Sequence, residues 1–254
     1  MKRRVITVPK RQKKMSDLKV TAMVSIYNSS RWLRARLTNL FETNAHKRGQ
    51  LLIYCVNAQS PDPTDNLICE SFAGYDNFHY EVIDFCTVYG AWNHIINRTS
   101  TKYLTNCNTD DLNAPNYFDE AIRTLEQTKS SIVHCDWYSI GPSINHWSEI
   151  RGTANNATYF NPDADLISCG HMPLWDRSVH DKVGLFDPWF KALGDADLWL
   201  RAWRNGIKDF EFLNAPLGAY RWRDGDNLWN RTEEGQRAAE WDRLRNRQPG
   251  KLTF

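Results

Sequence analysis

No C-x-x-C pair occurs among the six cysteines, at 55, 69, 86, 107, 135 and 169, and their scatter excludes both a zinc-finger ligand set and a disulfide framework. Cys55, Cys107 and Cys135 lie in apolar runs and are predicted to be core thiols. No window approaches the ~18 apolar residues of a membrane span, and the head "MKRRVITVPKRQKK" lacks the apolar run of a secretory signal. The expectation is a soluble, cytoplasmic protein. Internal repeats and low-complexity linkers are also missing. The turn after the first apolar strand, "SIYNSSRW", holds no glycine, so it cannot form a Gly-rich phosphate loop.

A basic surface is missing too. The formal charge is +2, but Lys2, Arg3, Arg4, Lys10, Arg11, Lys13 and Lys14 all precede Ser16, which leaves the remainder mildly acidic. That excludes broad nucleic-acid binding, and confines any contact with an anionic surface to residues 1–14, where a solvated tail is the plainer alternative. Hydrophobic residues make up 41% of the 254, enough for a substantial core. Tryptophan is abundant, at 11, and concentrated late in the chain (Trp175, Trp189, Trp199, Trp203, Trp222, Trp229, Trp241). Such rings either fill a core or form a platform for a sugar or base.

Strand-like and helix-like stretches alternate. "VTAMVSIYN" is β-branched and apolar, and the following "SSRWLRARLTNLFETN" spaces Trp32, Leu33, Leu37, Leu40, Phe41 and Asn44 as a helix does. "QLLIYCVNA", "FHYEVIDF", "YLTNCNTDDL", "SSIVHCDWYSI" and "IKDFEFL" read as further strands. "YGAWNHIINRTS", "NAPNYFDEAIRTLEQT" and "GDADLWLRAWRNG" read as helices, the last with an acidic start and a glycine stop. The region from about 141 to 170 reads as irregular. This alternation predicts an α/β fold, a mostly parallel sheet covered on both faces, whose ligands bind beyond the carboxyl ends of the strands. Asn28, Asn57 and the Asn108 to Asp111 cluster fall at such ends.

Within the cluster, strand alternation puts Asn108 and Asp110 on one face and leaves Asp111, at the turn, free to reach around. Two carboxylates and an amide oxygen are hard ligands suited to Mg²⁺ or Mn²⁺. A solvated cluster ahead of the helix near Pro115 remains the alternative.

The run "YGAWNHIINRTSTKYLTNCNTDDLNAPNYF" resembles the helix, strand and D-x-D signature of family 2 glycosyltransferases of the GT-A fold. "VSIYNSSRWLRARLTNL" is similar to their nucleotide-side strand and helix, and "GLFDPWFKALGDADLWLRAWRNG" to their acceptor-side motif, in the same order. The resemblance implies a GT-A domain over residues 17–254 behind a basic flexible head, 1–16. Its nucleotide-binding part would span about 17–140 and its acceptor-binding part about 141–254. Carried over residue by residue, it implies Asp110 as metal ligand, Asn108 and Asp111 assisting at metal or ribose, and Tyr27, Asn28 and Asn57 lining the nucleotide. Asp195 matches the general base, although a carboxylate at a helix N-terminus can serve the helix dipole alone. Asp197 would orient the loop or bind an acceptor hydroxyl, with Arg201 as its ion-pair partner one turn on. His171 and Trp175, in "CGHMPLWDRS", would touch donor sugar or acceptor, or else be core residues. Arg223 stands where many relatives carry a histidine near the diphosphate. Three departures stand out: Asn108 replaces the first Asp of D-x-D, Asn57 replaces an Asp, and Gly194 replaces the Glu before the base.

The resemblance therefore implies inverting, metal-dependent transfer of one sugar from a nucleotide-sugar, a UDP-sugar by preference, to an acceptor hydroxyl on a glycan or lipid-linked sugar. Polymer synthesis is disfavoured because the Q-x-x-R-W motif is absent. Sugar-phosphate nucleotidyl transfer is the second enzymatic reading, and it lacks its Gly-rich loop. A nucleic-acid or membrane-surface binder working through the basic head is the non-enzymatic one. Were that head to bind DNA, a modified nucleobase would become a possible acceptor.

Overall fold

The strand β1 (Val20–Ile26) sends Val20, Ala22, Val24 and Ile26 into one core and Met23 into another. β2 (Leu51–Asn57) does the same, with Leu51, Ile53 and Cys55 on one side and Tyr54 and Val56 on the other. Period-two strands that are apolar on both sides require cover on both faces, which is the α/β layering the alternation predicts. The coordinates are a computed structural model that describes residues 17–154, 160, 162, 168–170, 172–222 and 228–252. The basic head therefore lies outside the described residues.

Between and after these strands come α1 (Ser30–Glu42), α2 (Asn44–Lys47), α3 (Pro63–Phe72), β3 (Phe78–Val82), α4 (Val88–Ile96), β4 (Tyr103–Asn106), β5 (Leu112–Asn113) and α5 (Tyr117–Thr128). The later elements are β6 (Ile132–Ile140), β7 (Leu174–Asp176), α6 (Val179–Val183), α7 (Gly194–Arg204), β8 (Phe210–Arg221), α8 (Leu228–Arg231) and α9 (Glu234–Arg245). Helices α1, α3 and α5 cover one face through Leu33, Leu37, Leu40, Ile68, Phe72, Phe118 and Leu125. Helices α4, α6 and α7 cover the other through Trp92, Ile95, Val179, Val183, Leu198 and Trp199. Asn44, read as part of the α1 stripe, instead opens α2, because Thr43 is extended (ψ 147°) and its hydroxyl accepts the His46 N–H. Among the described residues, no helix is long and apolar enough to cross a membrane.

The eight strands of the described residues form one sheet in the order β3-β2-β1-β4-β7-β6-β8-β5. β1 lies parallel to β2 and β4, β2 to β3, and β6 to β8. β7 runs antiparallel between β4 and β6. The sequence gives no hint of this insertion, since β7 is only three residues long and its partners lie far away in the chain. It corrects the reading of Trp175 as a sugar contact. Trp175 sits at the centre of β7, opposite Leu104 and Ile132, fully buried against Trp199 (5.2 Å between ring centroids) and Phe186, and its indole N–H donates to His180 Nε2 at 3.1 Å. A ring so enclosed fills the core and has no free face for a ligand.

Candidate active site

Asn28, just past β1, takes the left-handed conformation (φ 50°) that asparagine tolerates better than most residues. Its N–H donates to Ser60 Oγ at 2.9 Å, while the Ser60 N–H donates to Asn57 Oδ1 at 2.6 Å at the end of β2. Ser60 Oγ in turn donates to Asp65 at 2.7 Å, and the Asp65 carboxylate accepts the Ser29 N–H at 3.1 and 3.2 Å. Thr109 Oγ1 meets Ser29 Oγ at 3.1 Å, which ties in the turn after β4. The ends of β1, β2 and β4 are thus joined by one chain of hydrogen bonds, which links Asn28 to Asn57 and enters the Asn108 to Asp111 cluster at Thr109. Asp65 carries no signal of this role in the sequence, because "QSPDPTDN" reads only as a turn-rich stretch. Burial raises its carboxyl above the ordinary range, against the bonds from Ser60 and Ser29.

The members of this cluster differ in accessibility. Tyr27 is 46% exposed and its ring meets Phe85 edge-on at 5.6 Å, leaving an open aromatic surface beside Asn28. Asn57 corrects the expectation that its side chain lines the nucleotide. It is buried, its Oδ1 holds Ser60, and its Nδ2 donates to Asn66 Oδ1 at 2.8 Å. Its amide therefore shapes the loop.

Asp111 is a second correction. Rather than reaching around from the turn, it is fully buried, accepting Asn108 Nδ2 at 2.9 Å and the Arg221 backbone N–H at 3.2 Å. Burial raises its carboxyl, opposed by the Asn108 bond and by the charge of Arg36, itself entirely buried in α1. Arg221, two positions before the expected Arg223, fixes the same turn from behind. Its Nε donates to the Asp110 carbonyl at 2.9 Å, and its other nitrogens to the Gly141 and Ile144 carbonyls at 2.9 and 2.6 Å. Arg223 and His171 lie outside the described residues. Asp110 is held at the edge of burial, 9% exposed, and Asn108, with its amide nitrogen turned to Asp111, keeps an amide oxygen as a second hard donor. No cluster of three or more His, Cys, Asp or Glu side chains with metal-binding geometry occurs among the described residues. One carboxylate plus an amide oxygen nonetheless fits Mg²⁺ or Mn²⁺, which complete their shells with water and phosphate oxygens.

Asp195 belongs to a second network, at the start of α7. It is half-buried, and its Oδ1 accepts the Ala196 N–H at 2.9 Å. Burial raises its carboxyl above the ordinary range and the charge of Glu240 adds to this, against the bonds from Ala196 and its own N–H. The loop ahead of it is locked to α4, where the Asn93 side chain donates to the Phe186 carbonyl at 2.7 Å and accepts its N–H at 2.9 Å.

Gly194, standing where the resembled motif carries Glu, packs flat on Tyr89. A β-carbon there would lie 2.7 Å from the ring. In an open helix start, Gly→Ala would stabilise by about 0.4 to 1 kcal/mol. Here overpacking, typically about 1 to 3 kcal/mol, opposes that gain. We expect Gly194→Ala to lower the melting temperature, as calorimetry can check; a rise would show that the Tyr89 ring yields freely.

Asp197, expected to orient the loop or bind an acceptor hydroxyl, is fully buried and so cannot meet an acceptor. It accepts Arg201 Nε at 2.8 Å, the ion pair expected from the i, i+4 spacing, and also Arg247 Nε at 2.7 Å.

Comparisons with known proteins agree with this architecture. An uncharacterized glycosyltransferase of Rickettsia typhi is 24% identical over 200 residues, covering 72% of this chain; the chain spans 58% of that relative's length. Residues 1–349 of S. aureus TarS, solved with UDP-GlcNAc, superpose with a TM-score of 0.70 at 15% identity, over 89% of this chain and 65% of that one. The mannosyltransferase PcManGT of Pyrobaculum calidifontis, solved with GDP-Man and Mn²⁺, gives 0.57 at 14% identity, over 89% and 60%. These likenesses show the GT-A fold. The model of glycosyl transferase family 2 matches residues 21–184, well over half of the chain. With its ordered motifs, strand-end cluster and sheet all in agreement, the chain belongs to glycosyl transferase family 2.

Proposed function

We propose that residues 17–254 act as one catalytic unit that transfers a single sugar, with inversion, from a nucleotide-sugar, preferably a UDP-sugar, to an acceptor hydroxyl. In this reading the nucleotide rests on the part before about residue 140 and the acceptor on the part after it. The observation that carries it is the hydrogen-bonded convergence of the β1, β2 and β4 ends, which reaches Thr109, the residue before Asp110. TarS and PcManGT, whose folds are similar, were solved with UDP-GlcNAc and GDP-Man respectively.

Tyr27 and Asn28 would meet the nucleotide at the open mouth of the cluster. Asp110, with the Asn108 amide oxygen, would hold a divalent cation, whose chemistry is charge neutralisation on the departing diphosphate. Asp195 would take the proton of the acceptor hydroxyl as its oxygen bonds to the anomeric carbon and the bond from that carbon to the diphosphate breaks. A carboxyl raised above its ordinary range is better matched to this task near neutral pH.

Thermal shift with UDP and Mn²⁺, separately and together, tests the donor side. Ligand at about a hundredfold above Kd stabilises by about 2.7 kcal/mol, and at about 2 to 4 °C per kcal/mol for a chain of this size the melting temperature should rise by roughly 5 to 10 °C. The rise should require both components together. A shift with GDP and none with UDP would move the donor class, and no shift with any nucleoside diphosphate would contradict the reading.

A further inference from the structure

Glu240, in α9, is completely buried beneath the loop that delivers Asp195. Its Oε1 accepts the Lys191 N–H at 2.7 Å, and its Oε2 accepts those of Ala192 and Leu193 at 3.1 and 2.9 Å. Gln236 Nε2, one turn earlier, donates to Oε1 at 3.0 Å. Four N–H donors surround the carboxylate, the set that an ionised group takes. Leu193 is the residue before α7 and offers no side-chain cap. A carboxylate reaching in from another helix therefore does the work of a local cap, fixing three successive peptide units immediately ahead of Asp195. No local sequence signal marks Glu240, since it follows that loop by nearly fifty residues.

We propose that Glu240 is the positioning residue of the candidate base: its carboxylate clamps the 191–193 loop and sets the charge around Asp195. The importance of this for turnover rests on the reading of Asp195 as the base; the clamp itself does not. Among the described residues, the ionisable groups facing Asp195 from packed elements are the Tyr89 phenol of α4, the Cys169 thiol and the Glu240 carboxylate of α9. Tyr89 and Cys169 are both raised by burial, so both stay neutral near neutral pH and Glu240 is the charge among them. On its own helix, the carboxylate of Asp197 is balanced by Arg201 and Arg247. Removing the charge of Glu240 makes Asp195 easier to ionise.

The test is Glu240→Gln, which keeps the shape and removes the charge. The Asp195 carboxyl carbon is followed by NMR across pH, its resonance assigned by its loss in Asp195→Asn. The titration midpoint should fall in Glu240→Gln; an unmoved midpoint overturns the proposal. Amide exchange in the unaltered protein guards against a variant that does not fold. The amides of 191–193 should exchange roughly ten- to a hundredfold slower than open loop amides, and free exchange there overturns the clamp. A midpoint that falls, with the 191–193 amides protected, while the acid limb of UDP-GlcNAc turnover stays in place would uphold the proposal for Glu240 and refute Asp195 as the base, so the two failures are distinguishable.

Discussion

Asp195→Asn should lose transfer by about 10²- to 10⁴-fold, roughly 3 to 5.5 kcal/mol of barrier, while donor affinity stays near normal. The amide keeps an oxygen for the Ala196 N–H but cannot take a proton from the acceptor. Were Asp195 only a helix-dipole residue, the substitution would cost about 0.3 to 1 kcal/mol of stability and nothing in turnover. The sign of the stability change separates the cases again. The folded-state pKa of Asp195 is raised above its unfolded value, so its contribution is present below the unfolded value and is lost as pH rises through the folded one. At neutral pH the ionised side chain therefore weighs against folding, and Asp195→Asn should melt no lower than the unaltered protein. In the active protein, kcat/KM should fall on the acid side at a pH above the ordinary carboxylate value of about 3.9. Steady-state kinetics across pH, paired with calorimetry, checks both. Near-normal turnover in the variant would refute the assignment.

Asp197→Ala, only two residues away, should do the reverse and damage the fold. Its carboxylate is fully buried between the Nε atoms of Arg201 and Arg247. Arg201 is itself 1% exposed and also donates to the Val183 carbonyl and, at 2.8 Å, to that of Leu185, holding the "GLFD" turn. Arg247 bridges onward to Asp187 at 2.5 Å. Deleting one partner of a buried ion pair strands the other and costs about 3 to 5 kcal/mol. At about 2 to 4 °C per kcal/mol, the melting temperature should fall by roughly 6 to 20 °C. The same network gives an acid-side signature. Burial alone would raise Asp187, but bonds from Arg247, the Trp189 N–H and Arg243 hold it below the ordinary carboxylate range. Its contribution is present above the unfolded pKa and is lost as pH falls through the lower folded one. A denaturant series with Asp197→Ala and the unaltered protein measures the loss; a change under about 1 kcal/mol would show the network to be dispensable.

The parts of this architecture carried by local patterns were legible in the sequence. β1 and β2 declare themselves by short runs that are mostly apolar and rich in β-branched residues, α5 by the stripe from Tyr117 to Leu125, and the Arg201–Asp197 pair by its spacing of four. Pairing across long separations was not. β7 carries too few residues for any period, so Trp175 could equally have been a platform or a core ring until its neighbours Leu104 and Ile132 were known. Asp110 and Asp111 look alike as text. What divides them is Arg221, whose backbone N–H captures the second carboxylate while its guanidinium braces the carbonyl of the first. Glu240 and Arg247 act on α7 and the loop before it from the far end of the chain, where no local pattern marks them.

The proposed transfer requires a nucleoside diphosphate to bind at Asp110, beside the joined ends of β1, β2 and β4. Calorimetric titration of UDP in the presence of Mn²⁺ into the unaltered protein, Asp195→Asn and Asp110→Asn tests it directly. Equal affinity is expected for the first two and a loss of at least tenfold for Asp110→Asn, about 1.4 kcal/mol. Equal affinity in all three, or no binding in any, would contradict it.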